Sequence, residues 1–220
     1  MGGMRVTVRH MGEEREPLVV VDAFSGAVEA LEEDAAACEW SVNSPHYPGI
    51  RAAAPTQLIA ARAGLIERVA REVFGAGGLD LQEHNYSLVA TPPGDLRPIQ
   101  RLPHFDGLEP RLALLHFLRP AGQGGTRFYR QTATGFETVT RERFERFERQ
   151  LRADTLPEIP EGYPDARAGF ELLLEAGPAP DRAFIYRGRT LHSGAITDPD
   201  ALSADPREGR LTVNTFFGLR

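Results

Sequence analysis

From residue 81 onward the sequence breaks into short apolar or alternating runs: HNYSLVAT, RLALLHFLRP, GGTRFYRQTATGF, FELLLEA, RAFIYRG, TLHSGAIT and RLTVNTFFGLR. Each is cut off by Gly, Pro, Asp or Asn, which leaves no room for long helices and points to many short strands. Ala133-Thr134-Gly135 predicts a hairpin turn. One helix interrupts after Thr140, with Phe144, Phe147 and Leu151 on a common face. Ahead of residue 81 the pattern differs. Residues 18–21 (LVVV) predict a strand, and Asp22 or Ser25 can cap a helix through AVEALEEDAAACEW. The stretch SVNSPHYPGIRAAAP, rich in Pro, Ser and Gly, reads as a loop. A second helix runs over residues 56–74, where Leu58, Ile59, Leu65, Ile66, Val69 and Val73 recur at helical spacing and Gly75 sits at the C-cap position. Two helices ahead of about eight strands predict an α+β chain whose β-rich core is a sandwich or a jelly roll. Residues 1–220 form a single domain in this reading. Residues 1–80 support the barrel and residues 81–220 build it.

Composition narrows the function classes. A net charge of −6 gives no electrostatic footprint for nucleic acid. The run RERFERFERQLR alternates in sign and reads as a solvated helix face. No run approaches the roughly 18 apolar residues of a membrane span, and MGGMRVTVRH lacks an apolar targeting core. The single cysteine, Cys38, rules out an intramolecular disulfide and a cysteine-based zinc site; within AAACEW it reads as a buried helix residue. These absences predict a cytoplasmic protein without nucleic-acid or membrane partners. Oligomeric state is not encoded in any pattern found.

Residues 103–107, PHFDG, carry the first chemical signal. Six histidines and 11 aspartates in 220 residues produce about 0.3 His-x-Asp pairs by chance, so the tripeptide alone decides nothing. On a strand, however, His104 and Asp106 point to one face and can reach one metal ion together. A facial triad of two histidines and one carboxylate needs one more imidazole. His192, in LHSG after an apolar run, suits a strand at the mouth of a barrel; the competing reading is a core or turn histidine satisfied by backbone. On the last strand, alternation puts Arg210, Thr212 and Asn214 on one face, with Leu211 and Val213 on the other. An inward arginine with a hydroxyl two residues on makes a carboxylate receptor. Alternatively, Arg210 simply begins the strand at its wet end.

The order of these pieces, PHFDG (103–107), LALLHFLRP (112–120), GGTRFY (124–129), FIYRGRTLHSG (184–194) and GRLTVNTFFG (209–218), resembles the Fe(II)/2-oxoglutarate-dependent dioxygenases. The prolyl-4-hydroxylase-like branch is the nearest likeness, and VVVDAFSGAVEAL resembles its strand–helix start. YSLVATPPGDLRPIQRLPHFDG and NSPHYPG are similar to an uncharacterised bacterial subgroup. The resemblance implies a double-stranded β-helix, the jelly-roll or cupin-like core, with supporting N-terminal helices. It implies His104, Asp106 and His192 as catalytic iron ligands. Arg210 would bind the distal carboxylate of 2-oxoglutarate, aided by Thr212 and by the hydroxyl of Tyr86. Gly124 and Gly125 would mark a tight turn. The cofactors implied are Fe(II), 2-oxoglutarate and O2. The reaction implied is hydroxylation of an unactivated C–H with release of succinate and CO2, since a carboxylate at Asp106 fills the position that halogenases leave open. The substrate would be an amino acid, a peptide or protein side chain, or a small natural product. His192 and Arg210 stand 18 residues apart, wider than is usual for the family; TDPDALSADPRE, full of turn formers, is expected to loop out between them.

Two other functions fit parts of the pattern. A cupin-like metal enzyme without 2-oxoglutarate would use the triad and not Arg210, and a non-catalytic jelly-roll binding module would use neither. His116 reads as core or barrel lining, Trp40 as core, and His10 and His84 carry no pattern. His46 and Tyr47 fall in a surface loop that could cover a site, as could LPEIPEGYPDARAGF. Arg97, Gln100, Arg101, Arg127, Tyr129, Arg130 and Gln131 could face a substrate, and spacing does not choose among them.

Overall fold

The computed structural model describes residues 3–42, 44–166 and 169–220. The described residues form strands β1 (Arg5–Met11), β2 (Glu16–Asp22), β3 (Gly49–Ala53), β4 (Leu79–Val89), β5 (Arg111–Arg119), β6 (Thr126–Gln131), β7 (Phe170–Ala176), β8 (Arg182–Arg187), β9 (His192–Gly194) and β10 (Leu211–Leu219). A large sheet has the order β1-β2-β8-β5-β10-β4-β3 and a small one the order β7-β6-β9; the recorded pairs are antiparallel. An isolated bridge between His104 and His192 adds one more rung beside β9. From β4 onward the chain passes back and forth between the sheets: β4 large, His104 small, β5 large, β6 and β7 small, β8 large, β9 small, β10 large. That winding is a double-stranded β-helix in an α+β chain, as expected.

The sequence pattern explains the packing. Met11, Leu18, Val20, Ala113, Phe117, Phe184 and Tyr186 of the large sheet meet Phe128 and Ala176 of the small one to fill the interior. The opposite face of the large sheet carries Val19, Val21, Leu112, Leu114, Ile185 and Phe217 against α2 (Gln57–Phe74), whose Ile59, Leu65, Ile66, Val69 and Phe74 form its buried stripe. Each of these large side chains contributes about 1.5–3 kcal/mol by leaving water. Gly75 ends α2 in the left-handed region at φ 71°, and the Ala76 N–H returns to the Ala70 carbonyl. Further along that face α1 (Val28–Ala37) buries Leu31 and Ala35 against Tyr86, Leu88, Leu118, Leu211 and Val213.

Three expectations need correction. Gly49–Ala53, inside the segment read as a loop, is an edge strand paired with β4. Residues 1–80 contribute three strands to the large sheet; β1 is exposed along most of its length and has no apolar run to betray it. The start of α1 is held not by Asp22, which is taken by Arg5 and Arg182, but by Asp181. The Asp181 carboxylate accepts from the Ser25 and Gly26 N–H groups, while the Ser25 oxygen accepts from Ala27. Elsewhere Gly135, at φ 74°, closes the predicted turn with a Gln131–Phe136 bridge. Helix α3 (Arg141–Gln150) turns Phe147 inward, with Phe144 and Leu151 partly buried beside it. Cys38 is half-buried at the end of α1 and Trp40 is only partly covered.

Candidate metal centre

His104 and His192 are placed by backbone before any side chain is considered. Each donates its N–H to the other's carbonyl, at 2.9 and 2.8 Å, and the Asp106 N–H donates to the Gly188 carbonyl at 2.7 Å. Three side chains from segments 80-odd residues apart in sequence therefore converge. One ligand atom from each of His104, Asp106 and His192 lies within 4.8 Å of the others. Asp106 Oδ1 is 3.6 Å from His192 Nε2 and 3.9 Å from His104 Nε2.

The donor set fits a divalent ion. His192 Nδ1 is 2.8 Å from the Thr190 carbonyl, so that nitrogen carries the proton and leaves the Nε2 lone pair facing Asp106. Burial holds His192 down to about 4, and desolvation followed by the neighbouring His192 ring lowers His104 as well. Half of the His104 side chain faces the cavity, and both rings are neutral at neutral pH, the form that ligates. Asp106 Oδ2 is buried with no partner, and burial pushes the carboxyl up to about 6. A cation relieves that penalty. Ligand–metal bonds of about 2 Å put facial donors about 3 Å apart, so closing on an ion needs only a small inward turn of the side chains.

The triad lies on the wall of a cavity of about 660 Å³ that Arg210 also lines. Arg210 is 4% exposed. Its Nη2 donates to the Gly125 carbonyl at 3.1 Å, and its Nε makes a long 3.4 Å contact with the Gly124 carbonyl. The guanidinium lies over Phe117, with Tyr47, Tyr163 and Tyr186 nearby, and it has no carboxylate partner among the described residues. Both glycines are required: a Cβ on Gly125 would sit 1.9 Å from the Ala176 carbonyl, and one on Gly124 would sit 2.7 Å from the Ala195 side chain.

Tyr86 is not part of this site. It pairs with Val213, whose side chain faces α1, and its hydroxyl donates to Asp34 at 2.9 Å. Thr212 is fully buried, and its hydroxyl goes to Asn214 Oδ1 at 3.1 Å rather than into the cavity. His116 packs on Phe24, with Nε2 2.9 Å from Asp181. Of the polar residues that spacing could not rank, Gln100 lines the cavity. Arg127 and Arg130 are ion-paired elsewhere, and the Tyr129 hydroxyl meets Ser193. His46, Tyr47, Tyr163 and Pro164 from the two long loops do line it, whereas Asn43, Arg167 and Ala168 of those loops lie outside the described residues. Sequence reasoning missed Arg51, Arg111, Tyr186 and Phe216, which complete the wall.

Residues 3–217 match a family of unknown function, DUF6445. No curated protein matches the chain. Among solved structures it is similar to the non-heme α-ketoglutarate-dependent epimerase SnoN from nogalamycin biosynthesis, at 17% identity and TM-score 0.53, covering 93% of this chain and 78% of that one. HygX from Streptomyces hygroscopicus, solved with nickel and 2-oxoglutarate, matches at 15% identity and TM-score 0.48 over 92% and 82%. An N-substituted L-amino acid dioxygenase from Burkholderia ambifaria matches at 12% and 0.41 over 93% and 82%. At these identities the SnoN likeness establishes the fold. No helix among the described residues is long and apolar enough to cross a membrane.

Proposed function

The chain belongs to DUF6445, a family of unknown function, and we propose that it is an Fe(II)- and 2-oxoglutarate-dependent oxygenase of the prolyl-4-hydroxylase-like branch. The observation that carries this reading is the pairing, in one cavity, of a facial donor set with a buried arginine that has no carboxylate partner among the described residues. A metal-only enzyme has no use for Arg210, whose burial costs several kcal/mol without an anion or full hydrogen bonding. The shared fold of SnoN, an α-ketoglutarate-dependent enzyme, agrees with it.

In this reading His104, Asp106 and His192 hold Fe(II), and Arg210 receives the distal carboxylate of 2-oxoglutarate. Bound together with O2, iron and 2-oxoglutarate supply the oxidising power for C–H hydroxylation, leaving succinate and CO2. The chain's own residues do the rest. The Thr190 carbonyl fixes the His192 tautomer, Gly124 and Gly125 carbonyls hold the Arg210 fork, and Tyr186, 4.9 Å from the His192 ring, shields that ligand from solvent. We place the enzyme in the cytoplasm, acting on a small molecule or an amino-acid or peptide side chain.

Anaerobic addition of Fe(II) and 2-oxoglutarate is expected to give the weak visible charge-transfer band of a keto acid chelated to ferrous iron. His192→Ala is expected to lose the band, and Arg210→Ala to need at least about tenfold more 2-oxoglutarate. A folded, iron-bound protein without a band would overturn the reading.

A further inference from the structure

Several half-buried arginines outside the cavity are matched to carboxylates. Arg187 and Arg189 share Glu16, Arg182 holds Asp22, and Arg130 reaches Glu137 at 2.6 Å. Two cavity arginines besides Arg210 lack such a close partner. Arg111 makes no side-chain hydrogen bond or ion pair among the described residues; its guanidinium lies 5.9 Å from the Phe216 ring centre. Arg51, with a side chain only 14% exposed, stacks on Tyr47 at 4.4 Å and comes no nearer than 3.7 Å to Glu83. Glu83 and Phe216 are direct cross-strand partners of β4 and β10, so the two guanidiniums lie against neighbouring side chains of one cavity wall. Both line the same cavity as His104 and Asp106. A glycine makes the room for Arg111: a Cβ on Gly188 would stand 2.8 Å from Arg111 Cγ and 3.1 Å from Asp106 Cβ. One apolar stretch of the wall is built from Ile99, Leu102, Phe105, Phe144 and Phe147.

We propose that Arg51 and Arg111 form a second anion receptor, for the carboxylate of the molecule to be oxidised, and that this substrate is a hydrophobic carboxylic acid. The inference rests on the oxygenase reading. Charge decides the class. A divalent ion, the Asp106 carboxylate, the dianionic co-substrate and Arg210 sum to zero. Glu148 on the outer wall is taken by Arg152 at 2.7 Å, so Arg51, Arg111 and Glu83 leave one positive charge. A monoanion balances it, whereas a phosphate dianion overshoots. A guanidinium fork matches a planar carboxylate with two parallel hydrogen bonds. The Phe105–Phe144–Phe147 cluster, with Phe105 5.8 Å from Phe147, offers an aromatic surface for the body of the acid.

The test is calorimetric titration of the protein loaded with redox-inert Mn(II) and 2-oxoglutarate. The probes are 3-phenylpropanoate, N-acetylphenylalanine, their neutral amides and phenyl phosphate. The acids are expected to bind at least about tenfold tighter than the amides in the wild-type protein, a comparison that needs no variant. Arg51→Gln and Arg111→Gln are expected to abolish that preference while leaving 2-oxoglutarate affinity within about twofold, and the Lys variants to restore part of it. Equal binding of acids and amides, no binding of either, or tighter binding of phenyl phosphate would each overturn the proposal. A loss of 2-oxoglutarate affinity in Arg51→Gln would also overturn it, by assigning that arginine to the co-substrate. If wild-type protein fails to bind 2-oxoglutarate, the oxygenase reading fails instead, and the acid–amide comparison with Mn(II) alone still decides on the arginine pair.

Discussion

Tyr86 stands on β4 and Arg210 immediately before the neighbouring β10, yet one side chain faces a helix and the other faces the cavity. The difference is parity: a residue's face is set by its position along the pleat, and cross-strand partners share a face. Tyr86 is opposite Val213, so it shares the apolar face that α1 covers. The run YSLVAT, apolar at both parities, does not reveal this in sequence. Arg210 and His192 were legible because each begins an alternating or glycine-bounded run. Arg51 and Arg111 were not, since their inward placement depends on the register of β3 on β4 and on the space left by Gly188. Tyr86→Phe is therefore expected to cost about 1–2 kcal/mol of stability through the lost bond to Asp34. 2-Oxoglutarate affinity should not move in that variant. Denaturant unfolding and a 2-oxoglutarate titration check the two halves separately, and a weakened co-substrate would put Tyr86 back in the site.

Among elements, the junction between β5, the turn before β8 and the start of α1 depends on one part-buried carboxylate, Asp181, and the histidine bonded to it. Asp181 accepts from His116 and from two N–H groups ahead of α1, and these bonds hold its carboxyl well below the ordinary range against the penalty of burial. His116 is lowered too, burial outweighing its partner, and its Nδ1 has no hydrogen-bond partner; both facts describe a neutral ring donating through Nε2. Both shifts act in one direction. As pH falls below about 6.5 the unfolded chain takes up a proton that folded His116 refuses, and near pH 4 the same holds for Asp181. Stability is therefore complete above these values and is lost on acidification. Urea titrations from pH 8 to 3 should show the upper limb shallower in His116→Gln by up to about 1.4 kcal/mol per pH unit, one proton's worth. An unchanged slope would mean that His116 is already charged in the folded protein.

At the scale of the whole molecule the double-stranded β-helix was legible as a class, because strand-length runs and turn residues alternate through the second part of the chain. The wings were not: β1 has only the two-valine alternation of RVTVR and is exposed along most of its length, and β3 lies in a proline- and glycine-rich segment without periodicity. What the assembled sheets add is a donor set that exists only in the folded state. Ligands that bind only that state raise its stability by mass action, about 2.7 kcal/mol at a hundredfold excess over Kd. For a domain of this size Mn(II) with 2-oxoglutarate should raise the melting midpoint by about 5–10 °C, and a chelator should reverse it. No shift in wild type would count against metal binding at the triad. The place of β10 has a further consequence. It lies between β5 and β4 in space but follows both in the chain. During synthesis, at about 5–20 residues per second, β4 and β5 therefore leave the ribosome several seconds before the strand that must separate them. Through that interval each offers an unpaired edge to the wrong neighbour, and Arg210 is made only at its close.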